Sequence, residues 1–266
     1  MPELPEVETV VRRLREPLVG RTFRGVHVGW QPMVQTSVAD LTTRLQGQLV
    51  EAIDRRGKYL VFRLAGGDSL IIHLKMTGDL SVVPAGEQPH PHDRIIFDLD
   101  NGCQLRFRDQ RKFGRVYLTE APDRILGRLG PEPLDEQFTE EQFLAVWDHR
   151  SGRIKSLLLD QEFIAGLGNI YADEALFLAG IRPQRRVDTL EDEEKRRLFR
   201  AIRHVLGVAV EQKGATLADE TYRGGRYQEQ FLVYGRAAQA CSTCGSPIQR
   251  IQIGQRSAHF CPACQQ

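Results

Sequence analysis

Nowhere in its 266 residues does the chain hold an apolar run long enough to cross a membrane, and its charged opening lacks the hydrophobic stretch of a secretory signal. Both absences point to a cytoplasmic protein. Cysteine is sparse and odd in number at five, which sits badly with an oxidised framework. Four of the five fall in the last 26 residues, a clustering that suggests metal. The remaining one, Cys103, lies on an apolar strand and reads as a small buried hydrophobe. Net charge is almost absent, with 36 basic against 35 acidic residues, and so argues neither for nor against a polyanionic partner. No internal repeat or low-complexity tract appears. What remains, 41% hydrophobic and 27% charged residues, describes an ordinary globular chain long enough for two modest domains.

Charge is better read by its distribution. From Thr221 to Gln266 five arginines face one acid, a net charge of +4, whereas Glu120 to Arg150 is acidic. Such segregation can make a local phosphate-binding face, or simply a solvated basic surface.

Leu4, Val7, Val10, Val11, Leu14 and Leu18 recur at helical spacing, predicting an amphipathic helix interrupted by Pro17 and stopped near Gly20. Six strand-like segments follow up to about Leu118: TFRGVHVGW, QLVEAIDR, KYLVFRLA, SLIIHLKM, DRIIFDLD and CQLRFRD. The DNG at Asp100 to Gly102 predicts a hairpin joining the last two. One helix ahead of six short strands suggests a β-sandwich. LGPEPLDEQ, residues 129–137, combines Gly, two Pro and acids and reads as an interdomain hinge. Helices come next. Thr139 and Gln142 make a capping-box pattern, Ile154 to Leu159 forms a short apolar helix, Asn169 starts a helix that Gly180 closes, and another runs from about Leu190 to Lys213.

The strongest local signal is Cys241-x2-Cys244, sixteen residues, then Cys261-x2-Cys264. Each CxxC turn sets two thiolates on one side of a metal, and the intervening hairpin brings the pairs together as a tetrahedral site for one structural zinc. Four thiolates leave no open coordination position, so the metal fixes the hairpin carrying Arg256 and His259 and takes no part in chemistry. Arg256 in that hairpin suits phosphate, whose oxygens match its fork of donors, though a solvated arginine reads nearly as well. The turn GLGN before Asn169 offers backbone amides at a helix start; it is either an anion site or a plain turn between helices. Pro2, behind the initiator methionine, is small enough to permit removal of Met1, which would expose a secondary amine.

Taken together, PELPEVET, LGPEPL, GLGNIYADEALFLAGI and QRSAHFCPAC resemble the formamidopyrimidine-DNA glycosylases, bacterial 8-oxoguanine glycosylases with AP lyase activity. The resemblance runs from Pro2 to Cys264. It implies an α+β protein with four parts: an N-terminal helix and β-sandwich catalytic domain (1–128), the hinge (129–137), a helical helix-two-turn-helix domain (138–235) and a zinc-finger β-hairpin (236–266). It also implies a monomer acting on duplex DNA that contains an oxidised purine or an abasic site, in the bacterial cytoplasm at the nucleoid.

That family's chemistry explains the N-terminus. An amine attacks sugar C1′ only when unprotonated, and at pH 7 about a tenth of an ordinary α-amino group is neutral against under a thousandth of a lysine. A secondary amine also forms a permanently cationic imine, which supports successive eliminations. The resemblance makes Pro2 the nucleophile and Glu3 the proton exchanger for the opening deoxyribose, with Glu6 orienting the amine or serving the helix dipole. Lys58, grouped with them, aligns with a lysine on the phosphate near the lesion. Lys155 aligns with a lysine facing DNA, and Asn169 and Arg256 with a pair gripping phosphates beside the flipped nucleotide. Base extrusion leaves a hole, which Met76, Arg111 and Phe113 match as fillers, Arg111 also contacting the orphaned cytosine.

Three departures from the family pattern stand out. DQRKF replaces Asp-Pro-Arg-Arg-Phe, Lys75 replaces a common glycine, and the lesion loop around Thr221, Tyr222, Arg223, Gly224 and Gly225 lacks the usual Gly-Tyr-Phe order. Rival readings are an endonuclease VIII-like glycosylase of oxidised pyrimidines, whose members begin Pro-Glu-Gly-Pro-Glu, and a non-catalytic lesion-binding protein.

Overall fold

Six apolar residues at helical spacing form the buried face of α1 (Leu4–Leu18). Glu3 and Glu6 close a capping box at its start, where acids also meet the positive end of the helix dipole. Contrary to expectation, Pro17 does not interrupt the helix. It stands inside the last turn, where the helix ends one residue later and little hydrogen bonding remains to be lost.

The strands are β1 (Phe23–Val28), β2 (Val50–Arg56), β3 (Tyr59–Leu64), β4 (Ser69–His73), β5 (Gly78–Pro84), β6 (Asp93–Leu99), β7 (Cys103–Asp109) and β8 (Arg115–Thr119), with α2 (Val38–Leu45) between β1 and β2. They form two four-stranded antiparallel sheets in the orders β1-β6-β7-β5 and β2-β3-β4-β8. The expected DNG hairpin joins β6 to β7, with Phe97 opposite Leu105. Eight strands replace the six expected, since β5 and β8 escape a composition scan. β5 alternates Gly78, Asp79 and Ser81 with its apolar residues, and β8 is only five residues long. Phe62, Leu70 and Ile72 of one sheet share a core with Phe97, Leu105 and Phe107 of the other, and α1 packs against it. This is the β-sandwich that the sequence predicts.

The computed structural model describes residues 1–216 and 224–266. Its chain divides into two compact units, with a boundary between Arg128 and Leu129; the second comprises Leu129–Ala215 and Gly225–Gln266. After α3 (Asp123–Leu126) closes the first, the second unit holds α4 (Glu140–Ala145), α5 (Ile154–Leu158), α6 (Asn169–Ala179), α7 (Asp192–Glu211), β9 (Gln249–Ile253) and β10 (Arg256–Phe260). The expected capping box of Thr139 and Gln142 is present, and Gly180 ends α6 at φ +71°. Phe138, Phe143, Trp147, Phe163 and Phe199 stack into one aromatic core. α6 is buried on nearly every side, yet carries Asp173 and Glu174 at its centre. Both acids prove to have partners.

Candidate functional site

Pro2 and Glu3 are buried at the head of α1, behind an exposed Met1. The Glu3 amide donates to Glu6 Oε2 at 2.8 Å, so the capping box fixes the backbone step between Pro2 and the helix. Glu8, one turn on, is tied to Arg12 at 2.8 Å and Arg55 at 3.1 Å. Burial alone would raise its pKa, but the two guanidiniums bring it below the ordinary carboxylate value.

In the same unit Lys58 is buried just before β3, and the end of that sheet is basic. His73 ends β4 opposite Tyr59 and Arg115, with Lys75 two residues on. Its pKa falls to about 3, because burial disfavours the imidazolium and the charges of Lys75, Lys58 and Arg115 add repulsion. The Lys75 amide donates to His73 Nδ1 at 2.9 Å. His73 is therefore neutral with its proton on Nε2, a fixed donor among cations. The Lys75 ammonium is itself held below its usual value by burial and by Arg115. Such a cluster suits an anion.

Met76 lies in the turn from β4 to β5, and Arg111 and Phe113 lie in the turn from β7 to β8. Phe113 is 45% exposed although aromatic, and the Arg111 guanidinium sits 4.8 Å from its ring centroid. Each turn contains a lysine in left-handed backbone, Lys75 at φ +56° and Lys112 at φ +60°. Unstrained glycine would be the default there. Asp109 ties the two turns together. One of its oxygens accepts from Thr77 Oγ1 at 2.5 Å and the Arg111 amide at 3.1 Å, the other from the Gly114 amide at 2.8 Å. This carboxylate is fully buried.

In the second unit, Asn169 is the first residue of α6 and Gly168 takes the cap position. Gln161 staples the preceding turn by accepting from the Gly166 amide at 3.0 Å and donating to the Leu167 carbonyl at 2.9 Å. Asn169 Oδ1 is buried and, among the described residues, has no hydrogen-bond partner. Lys155 is fully buried, donating to Asp173 Oδ1 at 2.5 Å and to the Asn169 carbonyl at 3.0 Å. Asp173 Oδ2 accepts from the His259 amide at 3.0 Å and meets His259 Nδ1 at 3.1 Å. One buried chain of contacts thus runs from the GLGN turn through α6 to β10. Arg256, three residues before His259, is exposed at the start of β10. Glu174 serves a separate purpose, accepting from the amides of Leu232, Val233 and Tyr234 at 2.8 to 3.0 Å.

The ligand atoms of Cys241, Cys244, Cys261 and Cys264 all lie within 4.8 Å of one another. Tetrahedral zinc with bonds of about 2.3 Å needs thiolates roughly 3.8 Å apart. The Cys241–Cys264 and Cys244–Cys261 separations of 3.9 and 3.5 Å fit that. Phe177 of α6 packs with Cys241 and Cys261, joining the metal centre to the helical core.

Of the expected lesion loop, Thr221, Tyr222 and Arg223 lie outside the described residues, while Gly224 adopts φ +101°. Sequence reasoning does not single out Asp109, His73 or Asp173. Each is a polar residue ending or interrupting an apolar run, in CQLRFRD, SLIIH and NIYADEALFLA, and that is the signal available for them.

Three family models match. They are described as the formamidopyrimidine-DNA glycosylase N-terminal domain over residues 1–116, the H2TH domain of the same enzymes over 129–221, and a zinc finger found in FPG and IleRS over 238–266. A formamidopyrimidine-DNA glycosylase of Herpetosiphon aurantiacus is 44% identical over 272 residues, covering all of both chains. One from Thermus thermophilus is also 44% identical, covering 100% of this chain and 98% of its own. Among solved structures, MutM in complex with DNA containing carbocyclic 8-oxo-G superposes with a TM-score of 0.93 at 36% identity over the whole of both chains. A Lactococcus lactis FPG point mutant in complex with DNA containing Fapy-dG gives 0.93 at 37%, again over both whole chains.

Proposed function

The chain belongs to the formamidopyrimidine-DNA glycosylase family, and from that premise we propose that it excises 8-oxoguanine and ring-opened formamidopyrimidines from duplex DNA through an amine at Pro2. It is a DNA glycosylase and AP lyase of base excision repair, with one structural zinc held by Cys241, Cys244, Cys261 and Cys264. Once Met1 is removed, the Pro2 nitrogen attacks C1′ of the damaged nucleotide and the bond to the base breaks. The base leaves with its electron pair and takes up a proton. Glu3 protonates the ring oxygen as the sugar opens, leaving an iminium between Pro2 and C1′. That cation acidifies the adjacent C2′ proton. Its loss expels the 3′ phosphate, and a second elimination expels the 5′ phosphate, so a gap remains with phosphates at both ends.

In this reading residues 1–128 perform the chemistry, 129–137 form the hinge, 138–235 grip the duplex and 236–266 hold Arg256 on the zinc hairpin. Lys58 binds the phosphate beside the lesion, and His73 adds an Nε2 donor. Met76, Arg111 and Phe113 fill the space of the extruded base. Asn169 and Arg256 take phosphates, which position DNA without reading its sequence. Lys155 acts by bracing Asn169 from within, as its complete burial suits bracing better than contact. Thr221, Tyr222, Arg223, Gly224 and Gly225 cover the lesion. In this reading the enzyme acts as a monomer, on DNA in the cytoplasm at the nucleoid.

The observation carrying this reading is the fixed Pro2–Glu3 step, buried and locked by the capping box at the head of α1. Borohydride reduction of the iminium tests it on 8-oxoguanine duplex. Wild type should give a covalent adduct, Pro2→Gly little, and Glu3→Gln slowed formation. A wild-type chain with its amine free and no adduct removes the mechanism.

A further inference from the structure

Trp30 is 37% exposed, and it immediately precedes the short 3-10 turn Gln31–Met33. Its ring is not idle. The Lys112 ammonium lies 4.1 Å from the ring centroid, within cation–π range. Lys112 is the residue between Arg111 and Phe113, and its backbone is the left-handed one at φ +60°. A non-glycine residue stays in that region only where its surroundings hold it.

The rest of the turn is held at its two ends. Asp109 fixes the Arg111 and Gly114 amides, and Arg115 donates to the Phe113 and Gly114 carbonyls at 2.9 Å. Gly114 packs so closely that a Cβ would come within 2.4 Å of Phe107 and 2.8 Å of Met33. Met33 belongs to the 3-10 turn that Trp30 opens, Val34 bridges to Val116, and the Gln35 amide donates to the Val116 carbonyl at 2.8 Å. Segment 30–35 therefore runs beside the turn as a splint, its far end on the base and Trp30 on the middle. Gln110 gives the turn no fixed φ of the kind proline would supply, so the grip on its middle residue carries more of the conformation.

We propose that Trp30 is a positioning residue for Arg111 and Phe113, its aromatic face holding Lys112 and through it the backbone that sets where those two side chains stand. The inference rests on the reading that they fill the hole left by base extrusion. Trp30 touches no reacting atom. Its effect is on how readily the hole is filled.

The test uses the full-length zinc-bound protein as wild type, Trp30→Phe, Trp30→Leu, Lys112→Met and the Leu/Met double variant. Single-turnover excision of 8-oxoguanine from duplex is measured alongside fluorescence of 2-aminopurine placed next to the lesion, which reports insertion. Trp30→Leu and Lys112→Met should each slow excision and weaken insertion by about two- to fivefold, the loss of one cation–π contact. Trp30→Phe should retain most of both, because it keeps a ring face. The double variant should be no worse than either single, and borohydride trapping on a single-stranded abasic oligonucleotide, where there is no hole to fill, should be unchanged. Equal behaviour of the Phe and Leu variants, additive losses in the double, or an equal loss in trapping would each overturn the assignment. Failure of wild type to trap would instead strike the Pro2 mechanism, leaving the insertion signal to judge Trp30.

Discussion

Acid should weaken this fold through His73. Its folded pKa of about 3 lies well below the ordinary 6.5, burial being the main cause and Lys75, Lys58 and Arg115 adding to it. Below pH 6.5 the unfolded chain therefore binds a proton that the folded one refuses. The stability associated with a neutral His73 is complete above 6.5 and is lost as pH falls towards 3. A separation of 3.5 units is worth roughly 5 kcal/mol in full, of which about 2 kcal/mol is lost by pH 5. That is a large part of the 5 to 15 kcal/mol typical of a domain. Urea unfolding at pH 7 and pH 5 measures it, with His73→Asn as the control, since its side-chain oxygen can still accept from the Lys75 amide. Wild type should lose about 2 kcal/mol more than the variant across that interval. Equal losses in the two proteins would mean that His73 takes up its proton inside the fold without penalty, and the account of the basic cluster would be wrong.

Two further perturbations address the second unit. Asp173→Ala leaves the buried Lys155 ammonium without its carboxylate and should cost about 3 to 5 kcal/mol, read as a lowered melting temperature. Pairing Asp173→Leu with Lys155→Met should recover much of that loss, and a double variant as unstable as the single would contradict the assignment. Mercurial titration of the thiols with a colorimetric zinc indicator should release one zinc per chain and abolish duplex binding; binding that survives full release would show that the metal does not hold Arg256 in place.

Local chemistry was legible from the chain alone. The CxxC spacing located the metal cluster, Gly180 ended α6, Thr139 and Gln142 capped α4, and the DNG joined β6 to β7 as a hairpin. Features set by long-range packing were not. β5 and β8 are held by neighbours distant in sequence, Asp79 facing Arg108 and Val116 facing Ile72, so their own short patterns underdetermine them. Lys155 looks like any surface lysine until α6 folds over it with Asp173, and Trp30 looks like an ordinary strand-end aromatic until Lys112 arrives from 82 positions away. Functional motifs fix which side chains are present, whereas their exposure depends on which partner the fold delivers.

The carboxylate of Asp109 has a consequence for how this protein explores a helix of DNA. Because Thr77, next to Met76, and the Arg111 amide share one Asp109 oxygen while the Gly114 amide takes the other, a shift of either turn disturbs the carboxylate that anchors both. In the proposed reading, Met76, Arg111 and Phe113 therefore reach the space of the extruded base from one common anchor.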